Sequence, residues 1–289
     1  MESKRGFHLL IVASALMWGS SFPLIKVTLD YVNPYFLTAV RMLIAGAIGL
    51  VFVMAFSRMA IFKVKAIWIL AGLNALGYSL QHIGMQYTLA SESALLINVN
   101  VIFVAILAAY ILGEKITVWK ALALALGVGG ILILTSKGDL SFFASEELLG
   151  QSILVASGFS WAVFIVLMKR LLDTHEIADV SMAVVAETAL ILSPLVAFYP
   201  STGIALEGWA GILYLGVVCT ALALFVYLVG LRRVGATTSS ILLTAEVLFA
   251  IILSVLFLSE QITAPLLLGG LLVLLAMILI SWNRETTPR

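Results

Sequence analysis

The stretch Ile11-Val12-Ala13-Ser14-Ala15-Leu16-Met17-Trp18 returns 143 residues later as Leu154-Val155-Ala156-Ser157-Gly158-Phe159-Ser160-Trp161. The match runs on to Lys26/Lys169 and Asp30/Asp173. Farther along, Gly113-Glu114-Lys115-Ile116-Thr117 aligns with Ser259-Glu260-Gln261-Ile262-Thr263 at an offset of 146, a change that one small loop insertion accounts for. The chain therefore reads as two copies of one unit, over residues 1–140 and 148–284.

Composition says where that unit lives. Of the 289 residues, 63% are hydrophobic and 11% charged. A soluble domain carries about 45–50% apolar and about 25% charged residues. A helix needs about 20 mainly apolar residues to cross about 30 Å of hydrocarbon. In chain order the apolar stretches are 6–25, 35–57, 66–91, 93–113, 121–136, 148–168, 180–206, 208–231, 234–259 and 261–283, numbered here as spans one to ten. Six are free of charge at full length and the fifth is clean but short, while Arg41, Glu187 and Glu246 each interrupt one of the others. The segments are continuously apolar rather than alternating, which argues against a β-barrel. Lys4 and Arg5 before the first run resemble the start of a signal peptide, but the run is long, no small-residue cleavage site follows, and nine more spans come after. The expected fold is an all-α integral membrane protein of ten transmembrane helices.

Each copy holds five spans, an odd number, so the second copy enters the membrane from the opposite side. That inverted-topology repeat is characteristic of secondary transporters, because two like halves of opposite orientation can exchange conformations around a central cavity. Lys/Arg asymmetry sets the orientation. Of the 16 basic residues, 13 fall on the side of the termini, Lys26 and Lys137 fall on the other, and Arg41 lies within a span. Both termini are expected in the cytoplasm, with the chain multi-pass in the plasma or inner membrane.

Several short motifs carry a family resemblance. Trp18-Gly19-Ser20-Ser21 with Lys26 resembles the W-G-x-x-F…K opening of EamA-type members of the drug/metabolite transporter superfamily. Arg41-Met42-Leu43-Ile44-Ala45 resembles that family's R-x-x-x-A in span two. Leu112-Gly113-Glu114-Lys115-Ile116-Thr117 resembles its L-G-E-x-x-T close of span four, echoed by Leu258-Ser259-Glu260 in span nine. The family often has proline midway along those two spans, whereas this chain has Val101 and Val247, so no proline-driven break is expected. The resemblance implies ten helices, cytoplasmic termini, a cavity lined by spans one, three, four, six, eight and nine, and export of small metabolites, often amino acids.

Charge inside a bilayer costs about 2.5–3.5 kcal/mol per residue on insertion scales, so each such group needs a reason to be there. Asn100 and Glu246 are repeat partners, 146 apart. Each lies about 14 Å into its span at about 1.5 Å per residue, near the midplane. A carboxylate and an amide there could bind an amino group or take up a proton. In span three Asn74, Tyr78, Gln81, His82 and Met85 fall on one helical stripe, answered in span eight by Tyr214, Thr220 and Tyr227. This reads as the wall of a cavity, with hydrogen bonding between helices as the alternative. His82 could also titrate near neutral pH. Trp18 and Trp161 match by repeat and sit mid-span, where they could stack on substrate or simply pack; Asn98 and Thr244 extend the same cavity. Arg41 and Glu187, 146 apart and opposite in charge, could fix helix contacts rather than touch substrate, and could pair if their helices meet. Glu114 and Glu260 stand at span ends, where capping or loop contacts account for them. Ala121, Ala125, Gly129 and Gly269-Gly270 permit close packing, within a monomer or across a homodimer.

Other functions fit poorly. A net charge of +1 with no basic run gives nucleic acid nothing to bind. Cys219 is the only cysteine and the three histidines do not cluster, so neither a metal nor another cofactor is expected. No grouping of catalytic side chains points to a membrane enzyme. The cavity spans hold almost no Lys or Arg, which disfavours phosphorylated cargo. The expected partners are the lipid bilayer and a neutral, zwitterionic or weakly cationic small molecule, amino acids first, with proton coupling open through Glu246 or His82. Efflux of cationic drugs is the alternative, and a passive channel a more distant one.

Overall fold

The computed structural model describes residues 2–56, 58–112, 118–136, 146–172, 174–234, 242–243 and 245–282. Within them the chain is helical. Helix α1 covers Glu2–Thr28, α2 Pro34–Ala55, α3 Lys65–Gly84, α4 Ala90–Asn98, α5 Asn100–Leu112 and α6 Val118–Ser136. A 3-10 turn over Met59–Lys63 links α2 to α3. The second half repeats the order: α7 Glu146–Leu172, α8 Ile177–Leu192, α9 Pro194–Phe198, α10 Leu206–Gly216, a π-helical segment Val217–Leu222, α11 Ala223–Val234, α12 Ala245–Leu258 and α13 Ala264–Trp282.

Five stretches are long and apolar enough to cross a membrane by length and composition: Gly6–Thr28, Pro34–Ala55, Glu147–Met168, Ala178–Phe198 and Leu206–Tyr227. Ala90–Val104, Ala121–Leu134, Ala245–Leu258 and Ala264–Leu279 are apolar but shorter. α3 has the length, but the polar stripe from Asn74 to His82 dilutes its apolar character. Large side chains such as Leu9, Val51, Leu190, Leu256 and Phe257 stand exposed on the outside of the bundle. A soluble monomer does not expose apolar surface on that scale; lipid covers it here.

Backbone contact fixes which helices meet. A Cβ on Gly19 would lie 2.7 Å from the Glu246 carbonyl oxygen, so α1 and α12 touch main chain to main chain. Gly158 does the same for α7 against α4, where a Cβ would lie 2.8 Å from the Ile97 carbonyl oxygen. Gly130 of α6 and Gly269 of α13 block each other reciprocally, each Cβ position 2.7 Å from the other's carbonyl oxygen. The glycines of spans five and ten thus pack within one chain, while a Cβ on Gly129 would meet open space.

Span four breaks at Val99 although no proline is present, contrary to the sequence expectation. The Asn98 amide donates back to the Ala94 carbonyl at 3.0 Å, and the next helix opens on a tight turn, Ile102 N–H to Val99 O at 2.9 Å. A side chain competing for the ladder does here what proline would do by removing a donor. Span eight departs from α geometry as well, through the π segment at Val217–Leu222.

Candidate substrate site

Among the described residues, Arg41 is the largest of the fully buried side chains. Its Nε donates to Thr220 Oγ1 at 2.9 Å, its Nη1 to His82 Nε2 at 3.1 Å, and its guanidinium carbon lies 4.7 Å from the centre of the Tyr78 ring. The His82 tautomer follows. Nε2 accepts from Arg41, so Nδ1 carries the hydrogen and donates to Thr38 Oγ1 at 2.7 Å, and Thr38 donates on to Pro34 O. Thr220 Oγ1 in turn donates to Leu215 O at 2.9 Å, a carbonyl beside the π segment. One buried cation thus ties together α2, α3 and span eight. It does not pair with Glu187, whose carboxylate oxygens are buried without a partner. The helices that carry the two charges do pack, but Arg41 turns toward α3 and span eight, where neutral acceptors and an aromatic face meet it.

Two aromatic pairs join the halves, one of them sharing Tyr78 with this cluster. Trp161 of α7 meets Tyr78 of α3 edge to face at 5.0 Å, backed by Gly77, where a Cβ would lie 2.9 Å from the indole. Trp18 of α1 meets Tyr227 of α11 at 5.4 Å. The repeat-related tryptophans therefore each contact a tyrosine of the opposite half, from span three or span eight. Beside Trp18, Ser20 Oγ lies 3.1 Å from Tyr214 Oη and 3.8 Å from Cys219 Sγ. The Asn98 side chain lies within hydrogen-bonding reach of the Glu246 carboxylate.

The sequence-predicted residues separate by environment. Trp18, Tyr78, Asn100, Trp161, Tyr227 and Glu246 are half-buried, Tyr214 is exposed, and Asn74, Gln81, His82 and Asn98 are buried. Asn74 donates across to Thr188 of α8 at 2.9 Å, the helix-to-helix bond offered as the alternative to cavity lining. Glu246 meets Asn98 rather than its repeat partner Asn100, which opens α5. Thr244 and Glu114 lie outside the described residues.

Sequence reasoning missed a clamp at one end of the bundle. Lys26 Nζ donates to the carbonyls of Met85 (2.9 Å), Gln86 (3.3 Å) and Thr88 (2.8 Å), closing the C-terminal end of α3. Glu260 accepts from Ala90 N–H (2.7 Å), Ser91 N–H (3.1 Å) and Ser91 Oγ (2.6 Å), capping the start of α4. A cation on helix-terminal carbonyls and a carboxylate on helix-initial amides both complement the helix dipole. Both charges belong to motifs already picked out in the sequence, but their convergence on one turn is a long-range contact that no spacing reveals.

Comparison with known proteins places the chain among transporters. The chain is 28% identical to an uncharacterized transporter of Archaeoglobus fulgidus over 95% of its own length and 96% of that protein. It is 27% identical to the uncharacterized transporter YoaV of Bacillus subtilis, over 91% of this chain and 92% of that one. A crystal structure with 19% identity superposes at a TM-score of 0.69, covering 98% of this chain and 99% of the other, and so shares the fold. The model of the EamA-like transporter family matches twice, over residues 6–136 and 148–282. Matched along nearly its whole length, this multi-pass membrane protein belongs to the EamA-like transporter family.

Proposed function

We propose that the chain is a secondary carrier of ten spans, built as two inverted five-helix repeats over residues 1–140 and 148–284, with both termini in the cytoplasm of a plasma or inner membrane. It moves a small zwitterionic metabolite such as an amino acid outward by alternating access. The observation that carries this reading is the pairing of helices with the halves exchanged. α1 packs on α12 as α7 packs on α4, and α3 packs on α7 as α11 packs on α1. α2 packs on α8 and α6 on α13, each helix with its own counterpart. A two-fold axis in the membrane plane generates all of these pairs together.

Loop contacts support the same topology. Lys26 with the 85–88 turn, Asn33 with Tyr199 and Ser201, and Glu260 with Ala90 each join loops that the reading puts outside. Arg58 and Asp179, bridged at 2.7 Å, both fall inside. For the site, the Glu246 carboxylate with Asn98 suits an ammonium group, and the Trp18–Tyr227 and Trp161–Tyr78 pairs suit apolar bulk.

Counterflow of radiolabelled amino acids and of cationic drugs in proteoliposomes tests the reading, and exchange of drugs alone would select the efflux alternative. Glu246→Gln is expected to keep expression and lose counterflow by at least about tenfold, the worth of roughly 1.4 kcal/mol in binding. Wild-type exchange in that variant removes Glu246 from the site.

A further inference from the structure

Glu187 sits in the middle of an apolar stretch, nine residues from Ala178 and eleven from Phe198. The residue is 2% exposed, and both carboxylate oxygens are buried with no hydrogen-bond donor. Its neighbour Thr188 is fully engaged, accepting from Asn74 and donating to Val184 O at 2.7 Å.

The ionisable groups on the packed elements are committed elsewhere or stand at helix ends. On α8 itself Asp179 is bridged to Arg58 at the start of the helix. On α2, Arg41 is spent on His82, Thr220 and Tyr78, and Tyr35 stacks on Tyr199 near the helix start. On α3, Lys65 is the first residue, and Tyr78 and His82 belong to the Arg41 cluster. Lys63 closes the 3-10 turn. By sequence position, Glu146, Glu147, Lys169 and Arg170 fall at the ends of α7. Arg232 and Arg233 fall in the last turn of α11, and its Tyr227 pairs with Trp18.

An ionised carboxylate without donors or a counter-ion, at that depth, carries a desolvation cost of several kcal/mol that nothing nearby offsets. A buried carboxyl group in that position neutralises instead. We infer that Glu187 is a proton-binding site, occupied in the helix arrangement described here and emptied only when α8 moves against α2 and α3 so that water or Arg41 reaches it. A bound proton and one packing of these helices then imply each other, which is the linkage a proton-coupled carrier requires. The inference rests on the carrier reading and names its coupling ion. Glu246 and His82, the groups singled out for that role by sequence, differ in having side-chain partners.

Infrared spectroscopy of the full chain in proteoliposomes reads the proton directly, through the C=O stretch of a protonated carboxylic acid and its shift in D2O. At neutral pH the wild type is expected to show such a band, Glu187→Gln to lose it, and Glu246→Gln to retain it. Should the glutamine variant fail to assemble, Glu187→Leu supplies the same subtraction with an apolar side chain of similar size. A spectrum of either Glu187 variant that superposes on the wild type overturns the inference. The band needs no transported substrate. A chain that shows it yet exchanges nothing defeats the carrier reading alone, and one that exchanges amino acids without it defeats this assignment alone.

Discussion

Ser259 is the sole non-glycine residue with positive φ among the described residues, at 55°. It follows α12 directly and aligns with Gly113 in the sequence repeat. A left-handed residue ends the helix and lets the next residue, Glu260, reach across to Ala90 and Ser91. A side chain there costs about 1–2 kcal/mol, so Ser259→Gly is expected to stabilise the protein by about 1 kcal/mol. Thermal unfolding in detergent checks this, with Ser259→Ala as a control expected to gain nothing; an unchanged midpoint for the glycine variant would mean the turn is unstrained. Single residues were also where the sequence misled. Arg41 and Glu187 are related by the repeat and opposite in charge, which made them a natural pair. Repeat symmetry relates positions, not the direction in which each side chain leaves its helix, and Arg41 finds His82 and Thr220 instead.

The elements were far more legible than their irregularities. Long apolar runs bounded by charge locate the helices, because lipid leaves the backbone no other way to satisfy its polar groups, but not all of their ends: span three runs to 91 while α3 stops at Gly84, and span seven to 206 while α9 stops at Phe198. The break at Val99 and the π segment in span eight escaped notice because no proline announces either; both are held by side-chain bonds visible only in three dimensions. Thr220 is the clearest case. One hydroxyl supports the π segment through Leu215 O and receives Arg41 Nε. Thr220→Val keeps the shape but leaves a buried guanidinium N–H without its acceptor, at an expected cost of about 1–3 kcal/mol. Thr220→Ser restores the bond and should recover most of that loss in the same unfolding assay. Equal stability for all three proteins would detach Thr220 from the Arg41 cluster.

At the scale of the whole molecule, Lys26 and Glu260 hold the turn between α3 and α4 from two sides, and the carrier reading makes that turn the outer end of the transport path. Alternating access then requires the clamp to release. Cys219, fully buried and the only thiol in the chain, reports on it. Glu260→Ala removes three hydrogen bonds to a charged group, worth about 1.5–3 kcal/mol each, of which the open state has to recover only a part. A membrane-impermeant maleimide added outside is expected to reach Cys219 at least about tenfold faster in that variant, the equivalent of roughly 1.4 kcal/mol. An unaltered labelling rate would make the clamp a fixed brace. The glycine seam between α6 and α13 bears on the same motion from the opposite direction. Where Gly130 and Gly269 meet, no side chain stands between the two main chains to slide or swivel, and no residue nominated for cargo lies on either helix. Those two helices form the spine of a book. On the carrier reading, the covers swing to either reader while the binding keeps its shape.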